Sequence, residues 1–180
     1  MTFEKRRLRG GEIDSLVEEI RKFPNPLTSK KAWEELQQVY IVTFQTELVG
    51  VCGIKRLNGW IKLGPFVVFK KYHHQGYGRK IFETVIKDYA NENIFIGSRS
   101  PAVARLANDF GFREETNVLN LPHTIQLYLI KNILEHVSLN FIIECLRKNS
   151  TQEGPYRFFV RERYTNDVNI NANVREHQVP

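Results

Sequence analysis

Near the middle of the chain, His73-His74-Gln75-Gly76-Tyr77-Gly78 runs directly into Arg79 and Lys80, so two imidazoles, two glycines and two cations share one short stretch. Ahead of it, Phe66, Val67, Val68 and Phe69 lie between Pro65 and Lys70-Lys71 and have the β-branched and aromatic composition of a buried strand. Behind it, Ile81, Phe82, Val85, Ile86 and Tyr89 recur every three or four residues and predict a helix from Arg79 to about residue 90. Gly76 and Gly78 therefore stand where a strand gives way to a helix. Glycine allows positive φ and a close approach of backbone to ligand. The free amides and partial positive charge of a helix N-terminus attract anions, and His73, Arg79 and Lys80 add to that field. The chemistry these residues suit is the grip of a pyrophosphate.

Among anion-binding loops the choice narrows. The fingerprint Gly-x-Gly-x-x-Gly fails because position 81 is isoleucine, and no Gly-Lys-Ser/Thr occurs. The stretch resembles instead the acetyl-CoA motif of the GCN5-related N-acetyltransferases (GNAT), Arg/Gln-x-x-Gly-x-Gly/Ala between a strand and a helix. A second stretch, Ser100-Pro101-Ala-Val-Ala-Arg105-Leu-Ala-Asn-Asp-Phe-Gly111-Phe112, is similar to the family's later helix that ends in Gly-Phe. The two signatures span residues 63–112, and the resemblance as a whole runs from Phe3 to Phe112.

That resemblance implies an α/β fold of GNAT type, with a mixed, mostly antiparallel central sheet, a parallel strand pair splayed at the cofactor site, and helices on both faces. It implies acetyl-CoA as cosubstrate, held by Val67, Val68, His73, His74, Gln75, Gly76, Tyr77, Gly78, Arg79, Lys80, Ser100 and Arg105. The implied reaction is direct transfer of the acetyl group to a primary amine of a small molecule or a protein. Backbone donors near Val67 and Val68 would stabilise the oxyanion while coenzyme A thiolate leaves.

The chain departs from the family in three places. Position 73 is histidine rather than arginine or glutamine, so a grip that depends on its charge weakens as pH rises. Position 107, where a tyrosine often protonates the thiolate, is alanine. Residues 60–69 carry no carboxylate to serve as the base that a protonated amine requires. Glu114, Glu115, His123 and His74 are the remaining titratable candidates, with Glu115 and His123 named as the catalytic pair. Each has the competing reading of a solvated surface residue.

A chain of 180 residues with 42% hydrophobic and 26% charged residues suits one domain with a real core, here residues 1–164, followed by a polar tail at 165–180. Cys52 and Cys145 lie in apolar surroundings without Cys-x-x-Cys spacing, which disfavours disulfides and zinc and favours a reducing compartment. The first residues lack an apolar signal core, and Gln126, Lys131, Glu135, His136 and Glu144 interrupt the greasy segment 125–146. A cytoplasmic location is expected, with no membrane partner and no metal. The net charge of +6 also admits a basic nucleic-acid-binding module as a rival, although three phosphate groups on a cofactor call for positive potential too. The other rival is a non-catalytic acyl-CoA sensor of the same fold.

The elements around the motif follow from pattern. Thr2 to Leu8 reads as a first strand broken by Gly10-Gly11, and a helix opens near Glu12 or Asp14 with Ile13, Leu16, Val17 and Ile20 on one face until Pro24 and Pro26 stop it. Ser29 can cap a second helix through Gln38. Residues 39–69 read as a three-stranded meander with turns at Thr46-Glu47 and Asn58-Gly59. Ile94-Phe95-Ile96 is a short buried strand, parallel by default to the one ending at Phe69. Beyond Pro122, two helical patterns through Ile125–Leu134 and Leu139–Leu146 suit a core, a homodimer surface or the wall of an acceptor pocket within a variable region at 113–164, and Tyr156 to Arg163 is a last strand expected to pair near residues 116–121.

Overall fold

Continuous apolar runs within residues 38–68, buried on both faces, give three consecutive antiparallel strands that form the centre of the sheet. In the computed structural model, which describes residues 1–22, 30–136 and 156–163, these are β2 (Gln38–Phe44), β3 (Glu47–Leu57) and β4 (Trp60–Val68). With β1 (Thr2–Arg6), β5 (Ile94–Ser98), β6 (Arg113–Glu115) and β7 (Arg157–Arg161) they make a seven-stranded sheet in the order β1-β2-β3-β4-β5-β7-β6. Every neighbouring pair is antiparallel except β4 and β5.

The helices are α1 (Gly10–Arg21), α2 (Lys30–Glu34), α3 (Tyr77–Asp88), α4 (Pro101–Asp109) and α5 (His123–His136). One face of the sheet is covered by α3 and α4, whose Ile81, Phe82, Val85, Val103 and Ala107 pack on Ile54, Ile61, Leu63 and Ile96. On the opposite face Ile13, Leu16 and Trp33 of α1 and α2 cover Val39, Ile41, Val51 and Val67. Further along that face Ile125 of α5 lies against Trp60, Phe95 and Phe158. Each fully buried Leu, Ile, Val or Phe side chain contributes about 1.5–3 kcal/mol. Among the described residues no helix is long and apolar enough to cross a membrane.

Several boundaries differ from the sequence reading. Helix α1 begins at Gly10, so the two glycines open the helix instead of breaking the chain before it. The reason is Glu12, whose carboxylate accepts the Arg9 amide at 2.7 Å and both ends of the Arg6 guanidinium, so the first turn is closed from outside. Helix α2 stops at Glu34 because Gln38 already belongs to β2. The turn after β2 is Gln45-Thr46, both at positive φ, one residue earlier than Thr46-Glu47. At the next turn only Gly59 takes positive φ.

Strand β7 was expected against residues 116–121. It lies between β5 and β6, pairing Phe158 with both Gly97 and Glu115, while residues 118–120 form a short 3-10 turn capped by the Asn117 side chain. The second helical pattern through Leu139 and Leu146, Cys145, the Gly154-Pro155 turn and the tail fall outside the described residues.

Candidate active site

The site starts from an irregularity in β4. Strand β3 has one residue, Gly53, between partners of Leu63 and Phe66, whereas β4 has two, Gly64 and Pro65. The extra residue is a bulge, and Pro65 sits where no ladder amide is needed. It reverses the alternation of the strand. Before it, the Ile61 amide donates to Asn93 O at 2.8 Å on the β5 side; after it, the Phe69 amide donates to Val49 O at 2.9 Å on the β3 side. Val67 therefore pairs inward with Val51, and the polar groups of Phe66 and Val68 face the β5 side.

Nothing from β5 meets them. The parallel ladder runs only from Ile61 opposite Ile94 to Leu63 opposite Ile96, after which β5 continues beside β7 while β4 continues beside β3. The two parallel strands part at that point, as the resemblance implied. Of Val67 and Val68, it is Val68 whose amide faces the gap, its carbonyl being taken by the His73 ring.

At the far end of β4 the chain enters the glycine loop, which neighbouring elements hold from several directions. Glu19 Oε1 on α1 accepts the Lys70 amide at 2.6 Å. The Glu47 carboxylate at the start of β3 pairs with Lys71 and accepts the Tyr72 hydroxyl. The His73 Nε2 lies 2.8 Å from Val68 O, and Gln75 Nε2 donates to Lys71 O at 3.0 Å. A carbonyl oxygen can only accept, so that nitrogen of His73 carries the proton. His74 and Gly76 take positive φ, 60° and 78°, which turns the backbone sharply into α3. A Cβ on Gly76 would meet nothing within 4 Å, so the space above it is open.

The first backbone bond of α3 runs from the Lys80 amide to Gly76 O at 3.1 Å, leaving the amides of Tyr77, Gly78 and Arg79 without helical acceptors. Those donors form the positive end of the helix, and His74, Gln75 and Lys80 beside them have exposed side chains. Arg79 is partly committed elsewhere, pairing with Asp109 of α4 at 2.6 Å and lying over the Phe110 ring. Ser100 stands at the N-cap position of α4 without a side-chain cap bond, and Arg105 is exposed on that helix.

The acid–base candidates are less well placed. Glu115 on β6 pairs with Arg113 and lies two strands away from β5, about 10 Å across the sheet. His123 is exposed at the start of α5, Glu114 pairs with Arg157, and no carboxylate lies on β4. Ala107 is fully buried in the core beneath α4. Among the described residues no group of three or more His, Cys, Asp or Glu could hold a metal ion.

Three residues outside the sequence candidates stand close to the gap. Glu19 is a buried carboxylate at the root of the loop. Burial pushes its carboxyl up, but the Lys22 ammonium at 2.8 Å and the Lys70 amide outweigh this and hold it below the ordinary value. Tyr156 folds its hydroxyl down on Gly97 of β5, to within 2.6 Å of where a Cβ would stand, and burial raises its phenol. Lys62 on β4 lies one residue before the strands part, and burial followed by repulsion from Lys55 pushes its ammonium down to about 8. Lys62 was legible as a single charge inside an apolar strand; Glu19 and Tyr156 carried no such signal.

The acetyltransferase (GNAT) domain family matches residues 13–120. The chain belongs to this family. GNAT structures share its fold at low identity. N-acetylglutamate synthase from Neisseria gonorrhoeae, solved with coenzyme A and N-acetyl-glutamate, is 15% identical with a TM-score of 0.62 over 92% of this chain, which spans only 36% of the synthase. The ribosomal-protein-S18-alanine N-acetyltransferase of Escherichia coli is 13% identical with a TM-score of 0.59, covering 93% of this chain and 99% of that one. Arabidopsis thaliana NAA60, solved with a bisubstrate analogue, is 13% identical with a TM-score of 0.57, covering 89% and 97%. No curated protein matches the chain.

Proposed function

We propose that this GNAT protein is an acetyl-CoA-dependent N-acetyltransferase that moves the acetyl group to a primary amine by direct transfer, acting in the cytoplasm. The observation that carries the reading is the conjunction of parted strands β4 and β5 with the amide-lined start of α3 at the end of the same gap. Coenzyme A has a pyrophosphate and an amide-bearing pantetheine arm, and these are the two chemistries that the loop and the strand edge complement. Relatives of this fold hold coenzyme A.

In this reading the amides of Tyr77, Gly78 and Arg79 take the pyrophosphate, and Phe66 and Val68 pair with the arm and steady the oxyanion. The neutral amine attacks the thioester carbonyl, a C–N bond forms, the C–S bond breaks, and the amine's proton passes to water. The departing thiolate takes a proton, for which Tyr156 is the hydroxyl placed beside β5. Release of free coenzyme A on mixing the protein with acetyl-CoA and a panel of amines is the expected result. Absence of release with every amine overturns the reading.

The sensor reading keeps one observation in its favour. Ala107 and a β4 without carboxylate remove the acid and base the family commonly supplies. A sensor would bind acetyl-CoA and release no thiol.

A further inference from the structure

Lys62 is a cation in a costly place. It stands directly opposite Lys55 across the β3–β4 ladder, and both ammonium groups lie over the ring of Tyr128 on α5, at 5.8 and 5.2 Å from its centroid. Like charges facing each other across a sheet are destabilising, and a neutral ring attracts each cation without cancelling the charge of the pair. Among the described residues neither lysine is ion-paired, and the one hydrogen bond of Lys62 is a long 3.4 Å contact to Gly64 O. The shared ring leaves two positive charges side by side without a counter-charge among the described residues. An anion lodged between them would supply one.

The location says which anion. Lys62 points from β4 onto the face covered by α1, α2 and α5, the side away from α3 and α4. Its Nζ reaches along the strand to Gly64, where β4 and β5 separate. Phe66, whose backbone faces the gap, is two residues further, about 7 Å along the strand. A group bound at Lys62 is thus several bonds from whatever reacts in the gap.

We propose that Lys62, with Lys55 beside it, forms a subsite for the carboxylate of the acceptor, so that the acceptor is a small primary amine carrying a carboxylate a few bonds from its nitrogen. This rests on the acetyltransferase reading above. A depressed ammonium at Lys62 fits a subsite completed only by its ligand, because a bound carboxylate would restore the charged form.

The test uses the full chain and its Lys62→Met and Lys62→Arg variants. Glutarate, which has no amine to acetylate, is titrated calorimetrically into each. Turnover is compared for ω-amino acids of two to five carbons and for their amides. The wild type is expected to bind glutarate and to favour acids over amides in kcat/KM by about tenfold to a hundredfold, the range of one charged hydrogen bond. Lys62→Met should lose both preferences, keep its affinity for coenzyme A and melt at a higher temperature. Lys62→Arg should recover the acid preference in part. Equal glutarate binding by wild type and Lys62→Met, or equal turnover of acids and amides by the wild type, overturns the subsite. No thiol release from any amine sinks the acetyltransferase reading alone, because the glutarate titration reads the subsite without turnover.

Discussion

Glu19 Oε1 accepts the Lys70 amide at 2.6 Å, which ties the last turns of α1 to the first residue of the glycine loop across 51 positions of sequence. Because Glu19 is more acidic in the folded chain than its ordinary 4.5, the unfolded chain binds the extra proton as pH falls. The stability it gives is present above that value and is lost as pH drops through the lower folded value. Glu12 behaves in the same sense through Arg6 and the Arg9 amide. Melting temperature should therefore decline steeply below about pH 4.5. In Glu19→Gln the decline should be shallower, with a loss of about 1–3 kcal/mol at neutral pH. An unchanged acid profile would show that the contact does not matter.

The two glycines of the loop should respond differently. Gly76 has φ of 78°, so Gly76→Ala forces a side chain into the left-handed region at a cost of about 1–2 kcal/mol. Gly78 lies inside α3, and its added Cβ would stand 3.6 Å from Val68 Cγ2, an ordinary contact. Gly78→Ala should be neutral or stabilising by up to about 1 kcal/mol. Gly76→Asp should abolish binding of coenzyme A in a calorimetric titration while the protein stays folded, because its carboxylate would oppose the pyrophosphate.

Gly97→Ala separates folding from chemistry at the other side of the gap. The new Cβ would fall 2.6 Å from the Tyr156 hydroxyl and 2.9 and 3.1 Å from two of its ring carbons, so the ring must swing off Gly97 and give up part of its packing on Phe158. If Tyr156 protonates the thiolate, both Gly97→Ala and Tyr156→Phe should lower kcat by about a hundredfold and leave KM for acetyl-CoA unchanged. Steady-state kinetics check this, and unaltered kcat in both variants would remove Tyr156 from the mechanism.

Burial pushes the Cys52 thiol up to about 12, and its side chain is sealed between β3 and the α3 face. It should stay inert to thiol reagents at pH 8 until the protein unfolds. A colorimetric assay of released coenzyme A should then show no background from this residue, and Cys52→Ser should leave the native-state background unchanged.

How much was readable in advance depended on the distance over which each feature is determined. The meander, the parallel strand and the loop between Val68 and Tyr77 are set by β-branched and aromatic runs, turns and glycine, and they appear within a residue or two of where the pattern placed them. The position of β7 was not readable, since Phe158 chooses between Gly97 and Glu115 by tertiary packing, and it takes both. Glu19 shows the same limit for the site: its partner is an amide 51 residues away, and backbone amides leave no mark in side-chain pattern. Lys62 is the opposite case. A lone ammonium between Trp60 and Leu63 is visible in the sequence, but its meaning depends on Lys55 lying opposite.

The doubled residue at Gly64-Pro65 makes β4 two half-strands of opposite phase. Ile61 and Leu63 share a face with Phe66 and Val68, although odd and even positions should point to opposite sides. Removing either Gly64 or Pro65 would leave a regular ladder with Phe66 still opposite Cys52 and on the face of Leu63, and would take away the local bend at which β4 leaves β5. The joint therefore sets where β4 turns from its parallel neighbour, and Gly64, at a φ of 115°, is the residue that lets it.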